Sequence, residues 1–126
     1  MNFYVKSHDV DGVRIVELVG KLTIGAPVRE FRYAIDGQIS QKAPFILINF
    51  SQLTFMDSSG IGELVGCNNK AREAGCRLVL CELPGKIRDL FRITQVSRLF
   101  TIYESEAMAL QGFETEVGTP AGASGN

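Results

Sequence analysis

The run Phe55-Met56-Asp57-Ser58-Ser59-Gly60-Ile61-Gly62-Glu63-Leu64-Val65-Gly66 decides how this chain is read. A hydrophobic strand candidate, Phe45 to Phe50, comes before it, and a helix candidate ending near Ala74-Gly75 comes after it. Asp57-Ser58-Ser59 therefore sits where a strand hands over to a helix. That position puts a hydroxyl on the surface, beside backbone N–H groups that have no partner within the first turn. Helical spacing that turns Ile61, Leu64, Val65 and Asn68 inward leaves Ser59, Gly62, Gly66, Lys70 and Glu73 outward. A glycine inside a helix costs roughly 1 kcal/mol against alanine, so two of them on an outward face call for a reason. A face bare of side chains admits a close approach by another backbone, which points to docking. The competing explanations are a neighbouring helix of the same chain packed over the glycines, or glycines that are merely tolerated drift.

Outward from this stretch, strands and helices alternate. Phe3-Tyr4-Val5-Lys6 reads as an edge strand, Asp11-Gly12 as a hairpin turn, and Val13 to Val19 as a strand covered on both faces. Gly20 to Gly25 reads as a connection. Pro27 suits the first turn of a helix whose Val28, Phe31, Ile35 and Ile39 repeat at helical spacing. Phe45-Ile46-Leu47-Ile48 is a continuous apolar run, as in a central strand. Arg77 to Cys81 reads as another buried strand, and Pro84 opens a helix with Ile87, Leu90 and Phe91 inward. Phe100 to Tyr103 is a short last strand, and Ser105 caps a final helix with Ala107, Leu110 and Phe113 inward. The remainder, 114–126, is small and polar and is expected to be a disordered tail after a domain of residues 1–113. The order β-β-α-β-α-β-α-β-α implies an α/β domain with a mainly parallel or mixed sheet. Sites in such sheets lie beyond the carboxyl ends of the strands, where Phe45–Phe50 delivers the chain to Asp57-Ser58.

The 126 residues suffice for one domain with a real core, and 45% hydrophobic with 21% charged residues is the composition of a soluble globule. A formal net charge of −1 supplies no basic footprint for nucleic acid. The apolar runs are too short to span a bilayer, and a cytoplasmic location is expected. Cys67, Cys76 and Cys81 lack C-x-x-C spacing and read as buried thiols; with His8 the only histidine, no metal site is expected.

Three chemistries compete for Asp57-Ser58-Ser59. A nucleophile elbow needs glycine two positions before and after its serine, but Met56 precedes Ser58 and Asp57 precedes Ser59. A Ser-His-Asp relay would need His8 to reach Ser58 from an edge strand. A dinucleotide fingerprint is mimicked by Gly60-x-Gly62 with Glu82 about 20 residues on, yet Val65 stands where the third glycine belongs and no Gly-Lys-Ser/Thr follows. A phosphorylated Ser58 would sit where N–H groups and the helix dipole favour negative charge, so the fold should survive it and the charge should act on the docking face. The plain alternative is that Asp57 and the serines only cap the helix.

The stretch Ile48-Asn49-Phe50 through Leu53-Thr54-Phe55-Met56-Asp57-Ser58-Ser59-Gly60-Ile61-Gly62 resembles the signature of the STAS domain, found in bacterial anti-sigma factor antagonists. The resemblance runs over about residues 3–113 and includes Gly20-x-Leu22, Ala74-Gly75, Leu78-Val79-Leu80 and the basic Lys86–Leu90–Phe91 helix. It implies an α/β STAS-like fold, a four- to five-stranded mixed sheet with helices mainly on one face. It implies a partner switch: the unphosphorylated form binds an anti-sigma factor, which also acts as an ATP-dependent serine kinase, and so frees a sigma factor. A PP2C-type phosphatase resets the cycle. The phosphorylated serine of the family follows Asp, which is Ser58 here, and Asp57 is the preceding acid. The implied partner face comprises Asp57, Ser58, Ser59, Gly62, Gly66 and Thr23; the protein is then a substrate rather than an enzyme, needs no cofactor, and its self-association is left open. One departure is that many relatives carry Asp after Gly-x-Leu, where this chain has Thr23. STAS domains also serve as subunits of stress-signalling and lipid-transport assemblies, without a phosphorylation cycle, and this is the alternative function.

Overall fold

A two-residue turn starts the sheet. Asp11 (φ 51°) and Gly12 (φ 85°) both take positive φ, the geometry that matches the twist of a tight hairpin, and Val10 faces Val13 across it. The computed structural model describes residues 2–118, with side chains to residue 115. The hairpin strands are β1 (Phe3–Val10) and β2 (Val13–Leu22), followed by α1 (Ala26–Ser40), β3 (Phe45–Met56), α2 (Ser58–Glu73), β4 (Arg77–Cys81) and α3 (Gly85–Ile93). A 3-10 turn (Val96–Leu99), β5 (Ile102–Tyr103) and α4 (Glu106–Gly118) complete the chain. The sheet has five strands in the order β1-β2-β3-β4-β5; β1 runs antiparallel to β2, and all other neighbours are parallel.

Alternation along the central strands sends side chains to two cores. On one face Val16, Leu18, Leu22, Ile46, Ile48 and Phe50 meet Phe31, Leu64, Ile87 and Phe91 from α1, α2 and α3. Phe50 and Phe91 are both fully buried and meet edge-on, with ring centroids 6.0 Å apart. On the other face Val13, Ile15, Leu47, Val79 and Cys81 are covered by Ala109 and Phe113 of α4. The STAS-like arrangement expected from the signature is present: a mixed sheet with three helices on one side and one on the other.

Several boundaries differ from the sequence reading. β2 continues through Leu22 and β3 through Met56, because Lys21 and Leu22 pair with Phe55 and Met56; pairing overrides the polar Ser51-Gln52 interruption. Beyond Asn49, β3 has no partner from β4, whose last paired residue is Cys81. The buried side of α2 is Gly60, Ile61, Leu64, Cys67 and Ala71, while Val65 and Asn68 are only half-buried. The helix is turned slightly from the expected orientation, with Gly60 set so close to the end of β2 that a Cβ there would meet the Leu22 carbonyl oxygen at 2.6 Å. In α4 the buried residues are Ala109 and Phe113; Ala107, expected inward, is exposed, and Leu110 is half-buried. Helix α4 runs on to Gly118, past the expected start of a tail at 114, and residues 119–126 lie outside the described residues.

Removing the Phe50 ring leaves a cavity where α3 meets the central strand. Phe50→Ala is expected to cost about 3–5 kcal/mol in urea-induced unfolding; a loss below about 1 kcal/mol would contradict the packing described.

Candidate partner-binding site at the start of α2

Asp57 is the hinge pin between the sheet and α2. Its backbone N–H donates to the Leu22 carbonyl (3.3 Å), which ties the end of β3 to the end of β2. Its backbone is extended (φ −100°, ψ −176°), so the chain turns into the helix only at Ser58. The carboxylate then accepts two backbone N–H groups from different segments. Oδ1 takes Gly60 N–H at 2.9 Å, the N-cap bond of α2, and Oδ2 takes Ile24 N–H at 3.0 Å, from the β2–α1 loop. Desolvation pushes this carboxyl up, but the N–H groups of Gly60, Ile24, Ser59 and Asp57 itself outweigh it and hold the pKa below its ordinary value. A further contact between β2 and β3 comes from Thr54 Oγ1, which donates to the Gly20 carbonyl (3.1 Å).

Gly60 is there for space. A Cβ on it would lie 2.6 Å from the Leu22 carbonyl oxygen and 3.0 Å from the Leu22 side chain, so the first turn of α2 rests directly on the end of β2. Gly62 and Gly66 have a different reason. An added Cβ on either meets nothing within 4 Å, so among the described residues no neighbouring helix covers them. Gly62 is exposed and Gly66 half-buried. Helix α1 does lie alongside α2, but it engages the flank: Arg32 donates to Glu63 (2.7 Å) and Lys70 to Asp36 (2.9 Å).

Of the expected residues, Asp57, Ser58 and Ser59 stand together at the start of α2, Gly62 and Gly66 follow along the same helix, and Thr23 precedes the Ile24 whose N–H Asp57 accepts. Ser58, the first residue of α2, is exposed; Ser59 is half-buried. Thr23 is half-buried, and its carbonyl accepts Val28 N–H (3.2 Å) in the first turn of α1. Ser59, Ile24, Gly25, Val28, Arg29, Arg32 and Glu63 line an open depression of about 500 Å³ between the starts of α1 and α2. Ile24 was missed in the sequence reading, although it is 74% exposed and bonded through its backbone to Asp57. The available signal was a single large apolar residue between Thr23 and Gly25, in a segment with no periodicity to bury it.

The histidine of a Ser-His-Asp relay lies away from Ser58. His8 pairs with Ile15 on the β1–β2 hairpin and faces Glu17 (3.8 Å). Leu22, beside Asp57, lies seven residues further along β2, roughly 20 Å away at strand rise. Burial, with neighbouring carboxylates, pushes the Cys67 and Cys81 thiols up to about 12, so neither offers a thiolate near neutral pH.

The chain belongs to the STAS domain family, whose model matches residues 4–109. It is 27% identical over 115 residues to an anti-sigma F factor antagonist of Paenibacillus polymyxa, covering 90% of this chain and 97% of that one. Its fold matches the crystal structure of an anti-sigma factor antagonist from Mycobacterium paratuberculosis with a TM-score of 0.76 and 21% identity, covering 87% of this chain and 92% of that one. It also matches the Bacillus cell fate determinant SpoIIAA in its phosphorylated form, with a TM-score of 0.65 and 25% identity over 88% of this chain and 98% of that one. No helix among the described residues is long and apolar enough to cross a membrane.

Two outcomes follow from the Asp57 geometry. Because its pKa is depressed on folding, the stability contributed by this carboxylate is present above the ordinary Asp value and is lost as pH falls through the lower folded value. In an NMR titration the Gly60 and Ile24 amide shifts should move together, with one midpoint below the ordinary Asp value; a midpoint above the ordinary value, or independent movement, would contradict the pair of hydrogen bonds. Asp57→Ala should lower stability by about 1 kcal/mol through loss of the cap and speed hydrogen exchange at Ile24. Gly60→Ala should cost about 1–3 kcal/mol through overpacking against Leu22.

Proposed function

We propose that the protein is an anti-sigma factor antagonist that works as a phosphorylation-controlled partner switch. In its unphosphorylated form it binds an anti-sigma factor across Asp57, Ser58, Ser59, Gly62, Gly66 and Thr23, and so releases a sigma factor. The anti-sigma factor is also the kinase: it transfers the γ-phosphoryl group of ATP to Ser58 Oγ, releasing ADP, and binding ends. A PP2C-type phosphatase hydrolyses the phosphoserine and restores the hydroxyl. In this cycle the protein is a substrate and binding module in the cytoplasm, with no reaction of its own.

The observation that carries the reading is the division of labour between Asp57 and Ser58. Asp57 already occupies the Gly60 N–H, so the helix start is capped without help from Ser58. The Ser58 hydroxyl, at the exposed first position, is therefore spare for modification. A phosphate there gains from the positive end of the helix dipole yet finds its nearest capping donor taken, so it stands out from the surface. About −1.5 to −2 units of added charge then act on an approaching partner rather than on the fold. Gly62 and Gly66 extend the same surface without side chains, which suits close approach by a kinase.

Ser58→Asp should keep the unfolding midpoint of the wild type and bind the anti-sigma factor at least about tenfold more weakly, a difference of about 1.4 kcal/mol. Ser58→Ala should keep full affinity and accept no phosphate from the kinase with ATP. Unfolding of Ser58→Ala would instead favour a capping role, and equal affinity of all three proteins would exclude the switch. Gly62→Ala supplies an independent check. With open space above Gly62, this change should raise stability by about 1 kcal/mol while weakening the partner complex; unchanged binding would remove Gly62 from the interface.

A further inference from the structure

We infer that the depression between the first turns of α1 and α2 seats an acidic side chain of the anti-sigma factor, held by Arg29 and flanked by Ile24. The inference rests on the proposed partner switch and adds to it the chemistry of the partner surface. Two guanidiniums, Arg29 and Arg32, line this depression against one carboxylate, Glu63. Glu63 is spent: Arg32 donates to its Oε1 from Nε (3.1 Å) and from Nη2 (2.7 Å), which neutralises both partners. The neighbouring Asp57 carboxylate keeps its negative charge while its oxygens accept the N–H groups of Gly60 and Ile24, and it is not among the residues that line the depression. Arg29 remains exposed, with no hydrogen bond or ion pair for its side chain among the described residues. The depression therefore carries one uncommitted positive charge. No acid in the first turn of α1 offsets it.

The apolar part of the recognition comes from Ile24. Among the described residues it is the most exposed of the large hydrophobic side chains, at 74%, although its backbone is fixed by the Asp57 carboxylate. A fixed, exposed aliphatic group beside a free guanidinium fits a partner side chain that is apolar along its stem and negative at its tip. The same arrangement gives a physical reason for release on phosphorylation. Ser59 lines the depression and Ser58 precedes it, so a phosphate on Ser58 places negative charge close to the acidic group being seated. A basic partner surface would be attracted by that phosphate instead.

The test measures binding of the purified anti-sigma factor from the source genome to wild type, Arg29→Lys, Arg29→Glu and Ile24→Ser. Both positions of change, Arg29 and Ile24, are exposed, so unfolding midpoints should agree with wild type. Arg29→Glu should weaken binding about tenfold or more, and the deficit should shrink as salt is raised. Arg29→Lys should stay close to wild type. Ile24→Ser should weaken binding about tenfold with little salt dependence. Wild-type affinity for Arg29→Glu, or tighter binding, would overturn the inference while leaving the partner switch standing. Failure of the wild type itself to bind any anti-sigma factor would bring down both.

Discussion

The structure around the site depends on one carboxylate serving two masters. Asp57 accepts Gly60 N–H from α2 and Ile24 N–H from the β2–α1 loop, while its own N–H goes to Leu22 at the end of β2. Two stretches distant in sequence, 22–24 and 57–60, are thereby fixed at one corner of the sheet. Everything proposed for the surface follows from that arrangement: Ser58 is free because Asp57 caps in its place, and Ile24 is exposed yet ordered because Asp57 holds its backbone. The depressed pKa of this carboxyl has the same origin, since donated N–H groups favour the charged form over the neutral one.

The glycines of the signature divide into two kinds, a division that spacing alone could not make. Gly60 is structural, because a Cβ would collide with the Leu22 carbonyl. Gly62 and Gly66 face open space, so the fold does not require them. A helix that carries two conformationally costly residues without a packing reason is better explained by what must approach from outside. Helix α1 could have filled that place; it stands aside, joined to α2 by the Arg32–Glu63 and Lys70–Asp36 pairs.

Much of this was legible in the amino-acid order. Alternation of strand and helix patterns yielded the sheet, and Phe45–Ile48, apolar on both faces, was readable as its centre because both faces are in fact buried. The Asp-Ser-Ser-Gly turn was legible as a helix start because capping chemistry is local. Non-local pairing was not legible. Residues Ser51 to Met56 look irregular until β2 is set beside them, and the extension of β3 past β4 depends on that neighbour. The rotation of α2 was not legible for a related reason: Gly60 has no side chain to count as apolar, yet it is buried against the end of β2. Ile24 escaped notice because its importance comes from a backbone N–H bonded 33 residues away, and a sequence carries no mark of such a bond.

The central claim is that one phosphate on Ser58 decides whether this surface is free to bind. The most direct measurement is calorimetric titration of a purified anti-sigma factor into two preparations of the protein, one with serine and one with phosphoserine installed at position 58. The account predicts a well-defined complex with the serine form and an affinity lower by at least about tenfold, or no measurable heat, with the phosphoserine form. Equal affinity for the two preparations, or tighter binding by the phosphorylated one, would contradict it.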